Sequence, residues 1–175
     1  MIPDPALDAA IRQARHLLFA FAGAILSTDI GKPADANAPT NQHIHEALTA
    51  CNESGRTASV ISTKPSIDVP AYLDAHDLFT QITVIAVSVT DAINFIEVAA
   101  ESCLLVTSST ADVRAAQAAR TPCVGYARTP GDAAHLVDAG AITSVYSMAD
   151  LALSLRAHRL GGLCKTLLGC TSHSE

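Results

Sequence analysis

The side chains of this sequence that could do chemistry cluster beside apolar runs. Ser62, Thr63 and Lys64 stand at the close of the run TASVIST. Thr107, Ser108 and Ser109 close the run CLLVTSS, with Asp112 three residues on. Ser27 comes after the run HLLFAFAG, and Tyr126 ends another. Hydroxyls of this kind orient a polar ligand, an ammonium group steadies an anion, and a carboxylate can move a proton. Asp112 also has a second reading, because a carboxylate near a helix N-terminus is stabilised by the local dipole. Lys64 has one too, as a solvated loop residue. His43 and His45 do not make a metal pair. Two residues apart on a helix they point roughly 200° apart. Cys164, Cys170 and His173 have neither the paired spacing nor the fourth ligand of a zinc site. Cys51, Cys103 and Cys123 lie in apolar contexts and read as core residues. Gly161 and Gly162 read as a helix stop, since no strand precedes them to make a phosphate loop.

The elements that must position these groups alternate regularly. HLLFAFAG reads as a buried strand running up to Gly23. Residues 27–40 are rich in Pro, Ala, Asp and Asn and read as a loop. A helix is expected over 41–55, capped by Thr40 or Asn41 and stopped at Gly55. Further strands are expected over 57–63, 82–89, 103–109, 121–127 and 142–147. Helices are expected over 66–78, 90–102 with Thr90 as cap, 110–120, 131–140 and 148–160. Apolar strands alternating with amphipathic helices predict a three-layer α/β fold with a doubly wound parallel sheet. Such sheets bind ligands at the carboxyl ends of their strands, where the winding reverses. The segments after residues 20, 61 and 107 should therefore share one site. Residues 1–15 are expected as a leader or short helix, 16–158 as the α/β core and 159–175 as a tail.

Composition narrows the partners. The chain has 175 residues, 49% of them hydrophobic, and a net charge of −6. No basic block is present, so nucleic acid is not an expected partner. No apolar run reaches the roughly 18 to 20 residues of a membrane span. An odd number of cysteines without a framework suits reduced thiols and a cytoplasmic location. The start MIPDPALDAA does not resemble a secretory signal. A small-molecule ligand is expected, and a homo-oligomer stays open.

The order and spacing resemble the haloacid dehalogenase-like (HAD) hydrolase superfamily. The stretch from CLLVTSSTADVRAAQAAR through TPCVGYA to DAGAITSVYS resembles the family's fourth motif with its Ala-rich helix, next strand and Gly-Ala turn. VISTKPSIDVPAYLDAHDL resembles the second motif, and the likeness spans about residues 16–156. The resemblance implies a Rossmann-like core. It also implies an attacking Asp, a second Asp as acid and base, a Ser or Thr and a Lys that steady the transferred group, and acidic ligands for Mg²⁺. Carried over, the attacking position is Ala20, the acid/base position Ala22 and the next Thr position Ala24. Gly23 and Ser62 match the motifs, and Thr63 stands where Asn is usual. The Lys motif is absent near 86–91, although Lys64 could stand in for it. Thr107-Ser108 replaces Gly-Asp, while Ser109 and Asp112 remain. No cap domain is expected, since only a short loop comes after Ser27.

A methyl group cannot attack phosphorus, and loss of a nucleophile typically costs about four to six orders of magnitude in rate. The expectation from these replacements is a scaffold that is not a phosphatase or dehalogenase. It would instead bind a largely apolar small molecule in a pocket lined by Ala20, Phe21, Ala22, Gly23, Ser27, Thr63, Thr107, Ser108, Ser109 and Tyr126. Asp112, Lys64 and Ser62 would serve any metal-free cyclisation, isomerisation or dehydration in a biosynthetic pathway, without a cofactor. The alternative is a non-catalytic pseudoenzyme that regulates or dimerises through an exposed face.

Overall fold

The computed structural model describes residues 4–27, 38–63 and 68–159. The strands are β1 (His16–Ala20), β2 (Thr57–Ile61), β3 (Val84–Ala86), β4 (Cys103–Thr107), β5 (Cys123–Tyr126) and β6 (Thr143–Val145). The helices are α1 (Pro5–Gln13), α2 (Ile44–Glu53), α3 (Val69–Ala75), α4 (Val89–Ile96), α5 (Thr110–Ala118), α6 (Pro130–Asp138) and α7 (Met148–Ala157). All strand pairs are parallel, in the order β3-β2-β1-β4-β5-β6. The chain winds outward from β1 to β3, returns to β4 and winds outward again. The winding therefore reverses between β1 and β4, where such sheets place their ligands.

Strand periodicity divides the core. Leu17 and Phe19 of β1 join Leu104 and Val106 of β4 in one cluster, with α1, α2, α3 and α7 above them. Leu18 and Leu105 point the other way, to a second cluster with α4, α5 and α6. Because both faces are covered, the central strands read as unbroken apolar runs rather than alternating ones. β1 is nonetheless shorter than HLLFAFAG suggests. After Ala20 the chain leaves the strand in a non-helical turn, Phe21–Ile25, closed by Leu26 N–H donating to the Phe21 carbonyl (2.8 Å). Within it Ala22 (φ −75°, ψ 119°) and Gly23 (φ 93°, ψ −35°) have the dihedrals of a type II turn. That turn puts Gly at its third position because a side chain is strained at positive φ.

Several caps differ from expectation. Helix α2 starts at Ile44, with His43 in the left-handed region (φ 64°) before it, so neither Thr40 nor Asn41 caps it. His43 pairs with Glu46 at 3.3 Å. Ser88, not Thr90, caps α4. The run 82–89 supplies only three strand residues, and the turn before Cys103 is a short 3₁₀ segment. Gly55 does terminate α2, at φ 83°. The tail with Cys164, Cys170 and His173, and Gly161-Gly162, lie outside the described residues.

Arg56 ties α1 to the sheet. It is 2% exposed, and its Nε and Nη2 donate to the carbonyls of Ala14 (2.9 Å) and Ile11 (2.8 Å). Burial holds its pKa below the ordinary arginine value. Arg56→Met keeps the apolar stem and orphans both carbonyls. Bonds to charged groups are worth about 1.5–3 kcal/mol each, partly offset by removal of a buried charge. The expected loss is about 2 kcal/mol, read as a lower urea midpoint at unchanged m. An unshifted midpoint would show that α1 is held by its apolar face alone.

Candidate functional site

The parallel register brings the ends of β2, β1 and β4 side by side. Ala20 pairs with Ile61, and Phe19 with Val106, so the next step sets Ala20 level with Thr107. The three segments expected to share a site therefore lie side by side. The turn after β1 is clamped from two sides. Asn41, 5% exposed, donates its Nδ2 to the carbonyls of Gly23 (2.5 Å) and Ala24 (3.0 Å). On the other side Gly23 rests against the β4–α5 junction, and a Cβ on it would overlap Ser108 Oγ. Beyond the turn, Ser27 N–H donates to the Pro39 carbonyl (3.0 Å) and Asn41 N–H to the Ile25 carbonyl (2.8 Å).

The β4–α5 junction is a hydrogen-bonded unit. Thr107 is fully buried; its hydroxyl donates to Asp112 Oδ2 (2.9 Å) and accepts from Ser109 N–H (3.1 Å). Ser109 caps α5 by accepting from Asp112 N–H (3.4 Å). The Asp112 carboxylate is thus tied to the end of β4 at the start of its own helix. Ser108 is exposed beside it. Ser62 is half-buried at the end of β2, its N–H donating to the Ala86 carbonyl (2.9 Å), and Thr63 is exposed. Lys64 lies outside the described residues.

Two expected pocket residues sit in the core instead. Phe21 is 4% exposed and meets Tyr72 edge-on, with ring centroids 5.1 Å apart. Tyr126 is buried with the α1–α7 face. Ala20 is buried and Ala22 is exposed. Among the described residues, what remains at the strand ends is a small-residue surface with hydroxyls, not an apolar cleft. The cysteines are structural: burial pushes the thiols of Cys51 and Cys123 up to about 12, with the Asp112 charge adding at Cys123.

One group escaped the sequence reading. Arg128 comes just after β5, and its Nη2 donates to Ser27 Oγ (3.4 Å), 101 residues away. Strands lie about 4.8 Å apart, and β4 separates β5 from β1. The guanidinium therefore links the end of β5 to the segment just beyond the Gly23 turn. Its position directly after an apolar strand was the available signal.

The donor set does not fit Mg²⁺. That ion needs several oxygen ligands in octahedral order. The positions where the resemblance implies carboxylates hold Ala20, Ala22 and Ser108, and Asp112 is engaged with Thr107. Among the described residues no group of three or more His, Cys, Asp or Glu converges.

No family model and no curated protein matches the chain in sequence. Solved structures do match in fold. A protein assigned as a β-phosphoglucomutase from Thermotoga maritima superposes with a TM-score of 0.68 at 14% identity, over 82% of this chain and 99% of that one. A haloacid dehalogenase-like hydrolase from Streptococcus pneumoniae gives 0.68 at 11% identity, over 81% and 98%. A protein assigned as a phosphoglycolate phosphatase from Haemophilus somnus gives 0.64 at 14% identity, over 79% and 96%. The chain has the haloacid dehalogenase-like fold, a Rossmann-type parallel sheet with helices on both faces.

These neighbours overturn the functional expectation. Proteins assigned as a mutase, a hydrolase and a phosphatase share this fold. The reading as a non-phosphatase with an apolar-ligand site, or as a regulatory pseudoenzyme, is corrected accordingly. The burial of Phe21 and the exposure of Ala22 remove the apolar walls on which it rested. Among the described residues no helix is long and apolar enough to cross a membrane.

Proposed function

We propose that this chain is a phosphatase- or hydrolase-like protein of small phosphate monoesters, which it holds at the carboxyl ends of β2, β1 and β4. The observation that carries this reading is the clamped contact of the Gly23 turn with Ser108, with Arg128 tied to Ser27 just beyond that turn. The open N–H groups at the start of α5 favour an anion. Ser108 and Ser109 offer hydroxyls to phosphoryl oxygens. Arg128 supplies a planar donor fork suited to phosphate. These residues bind the phosphoryl group, orient it and offset its charge. The buried, unpaired thiols Cys51, Cys103 and Cys123 support a reducing, cytoplasmic setting.

The test is calorimetric titration with phenyl phosphate and with inorganic phosphate. Arg128→Ala is expected to weaken binding of both about tenfold, the equivalent of one charge-assisted bond. The difference should shrink as salt screens the exposed pair. Unchanged affinity in Arg128→Ala, or no saturable binding by wild type, contradicts the reading.

A further inference from the structure

A cavity of about 550 Å³ lies far along the sheet from the β1–β4 junction, between α1, the edge strand β6 and α7. Its size falls in the range of small-molecule sites, roughly 300–1,000 Å³. Leu7 forms part of its wall and is buried, whereas Tyr146 and Leu153 are 53% and 52% exposed. Large apolar side chains left half in water beside a cavity mark a surface that gains by being covered.

The polar groups around it are not equivalent. Asp4 is committed: one oxygen caps α1 at Ala6 N–H (2.9 Å) and the other accepts from the Thr143 hydroxyl. Asp8 faces His158 at 3.3 Å. Asp150 lines the same cavity, and its carboxylate makes no hydrogen bond or ion pair among the described residues. Its counterparts in the first turns of other helices are all tied down. Asp91 accepts from the Ser88 hydroxyl (2.7 Å), Asp112 from Thr107 (2.9 Å) and Asp132 from Thr129 N–H (3.0 Å). A carboxylate with no side-chain partner at the rim of an apolar cavity is complementary to a cation with an apolar body.

We propose that this cavity binds a small organic amine, an aliphatic or aryl-alkyl ammonium ion, with Asp150 receiving the ammonium and Leu153 and Tyr146 covering the hydrocarbon. The site is separate from the phosphoryl site, and neither depends on the other.

The full chain is titrated with 2-phenylethylamine and with 2-phenylethanol, a neutral molecule of nearly the same shape. The expected result is saturable binding of the amine, at least about tenfold tighter than the alcohol, with amide shifts centred on Tyr146 and Leu153. Asp150→Asn should bring the amine down to the alcohol's affinity, and Asp150→Glu should keep the preference. Leu153→Gln should weaken both ligands. Equal binding of amine and alcohol overturns the proposal, as does a preference that survives Asp150→Asn. Shifts confined to the β1–β4 junction also overturn it. So does a self-associated chain that fills the cavity and takes up no amine.

Discussion

Aspartates placed together at positions 20, 22 and 108 are expected to raise Mg²⁺-dependent hydrolysis of p-nitrophenyl phosphate about a thousandfold over wild type. The three replaced residues are small and stand where the backbone already converges: Ala20 ends β1, Ala22 is exposed on the turn, and Ser108 meets Gly23. Asp112 lies four residues beyond Ser108, as in the motif that the resemblance describes. A missing nucleophile costs about four to six orders of magnitude, and the gain is set lower because supporting contacts are left untuned. Converging carboxylates repel, so Ala20→Asp/Ala22→Asp/Ser108→Asp should melt below wild type without Mg²⁺ and recover with it. A variant that melts cooperatively and shows no Mg²⁺-dependent turnover would mean the turn does not hold phosphoryl-transfer geometry.

Gly23→Val is expected to be the most damaging single substitution at the site. Gly23 has φ 93°, and the added Cβ would overlap Ser108 Oγ. Backbone strain of this kind costs about 1–3 kcal/mol and overpacking about 1–3 more. The combined loss, about 2–6 kcal/mol, corresponds to a Tm drop of roughly 10 °C for a chain of this size. The two contributions separate in a cycle. Gly23→Ala/Ser108→Gly removes the overlap but keeps the strain, so it should recover about half of what Gly23→Ala loses. Full recovery would show that the overlap alone matters, and no recovery that strain alone matters. Tm measured across the four chains decides.

The fold was largely legible because its determinants are local. Each buried strand announces itself as a short apolar run, and Gly23 and Gly55 mark turns that require positive φ. The repeated Ser/Thr-x-x-Asp at Ser88, Ser109, Thr129 and Ser147 opens α4, α5, α6 and α7, with each first residue serving as the cap. Thr90 as a cap ignored that spacing. The site was legible only to the level of strand ends. Phe21 looked like a pocket wall because its neighbours are site residues, yet the turn after β1 rotates it onto Tyr72. Asn41 looked like a helix cap, and tertiary geometry sends its amide to the Gly23 turn instead. Arg128 and Arg56 act across the chain, on partners that no window of sequence contains. The replaced carboxylates were plain from the sequence. The idea that their loss turns the site apolar failed because alanine at a strand end exposes backbone and neighbouring hydroxyls rather than building a hydrophobic wall.

The most direct measurement is an amide-resolved NMR titration of the wild-type chain with phenyl phosphate. Phosphate recognition at the β1–β4 junction predicts saturable shifts at Gly23, Ser108, Ser109 and Thr110, reduced in Arg128→Ala. Shifts that miss the junction, or that appear equally with benzyl alcohol, would contradict it.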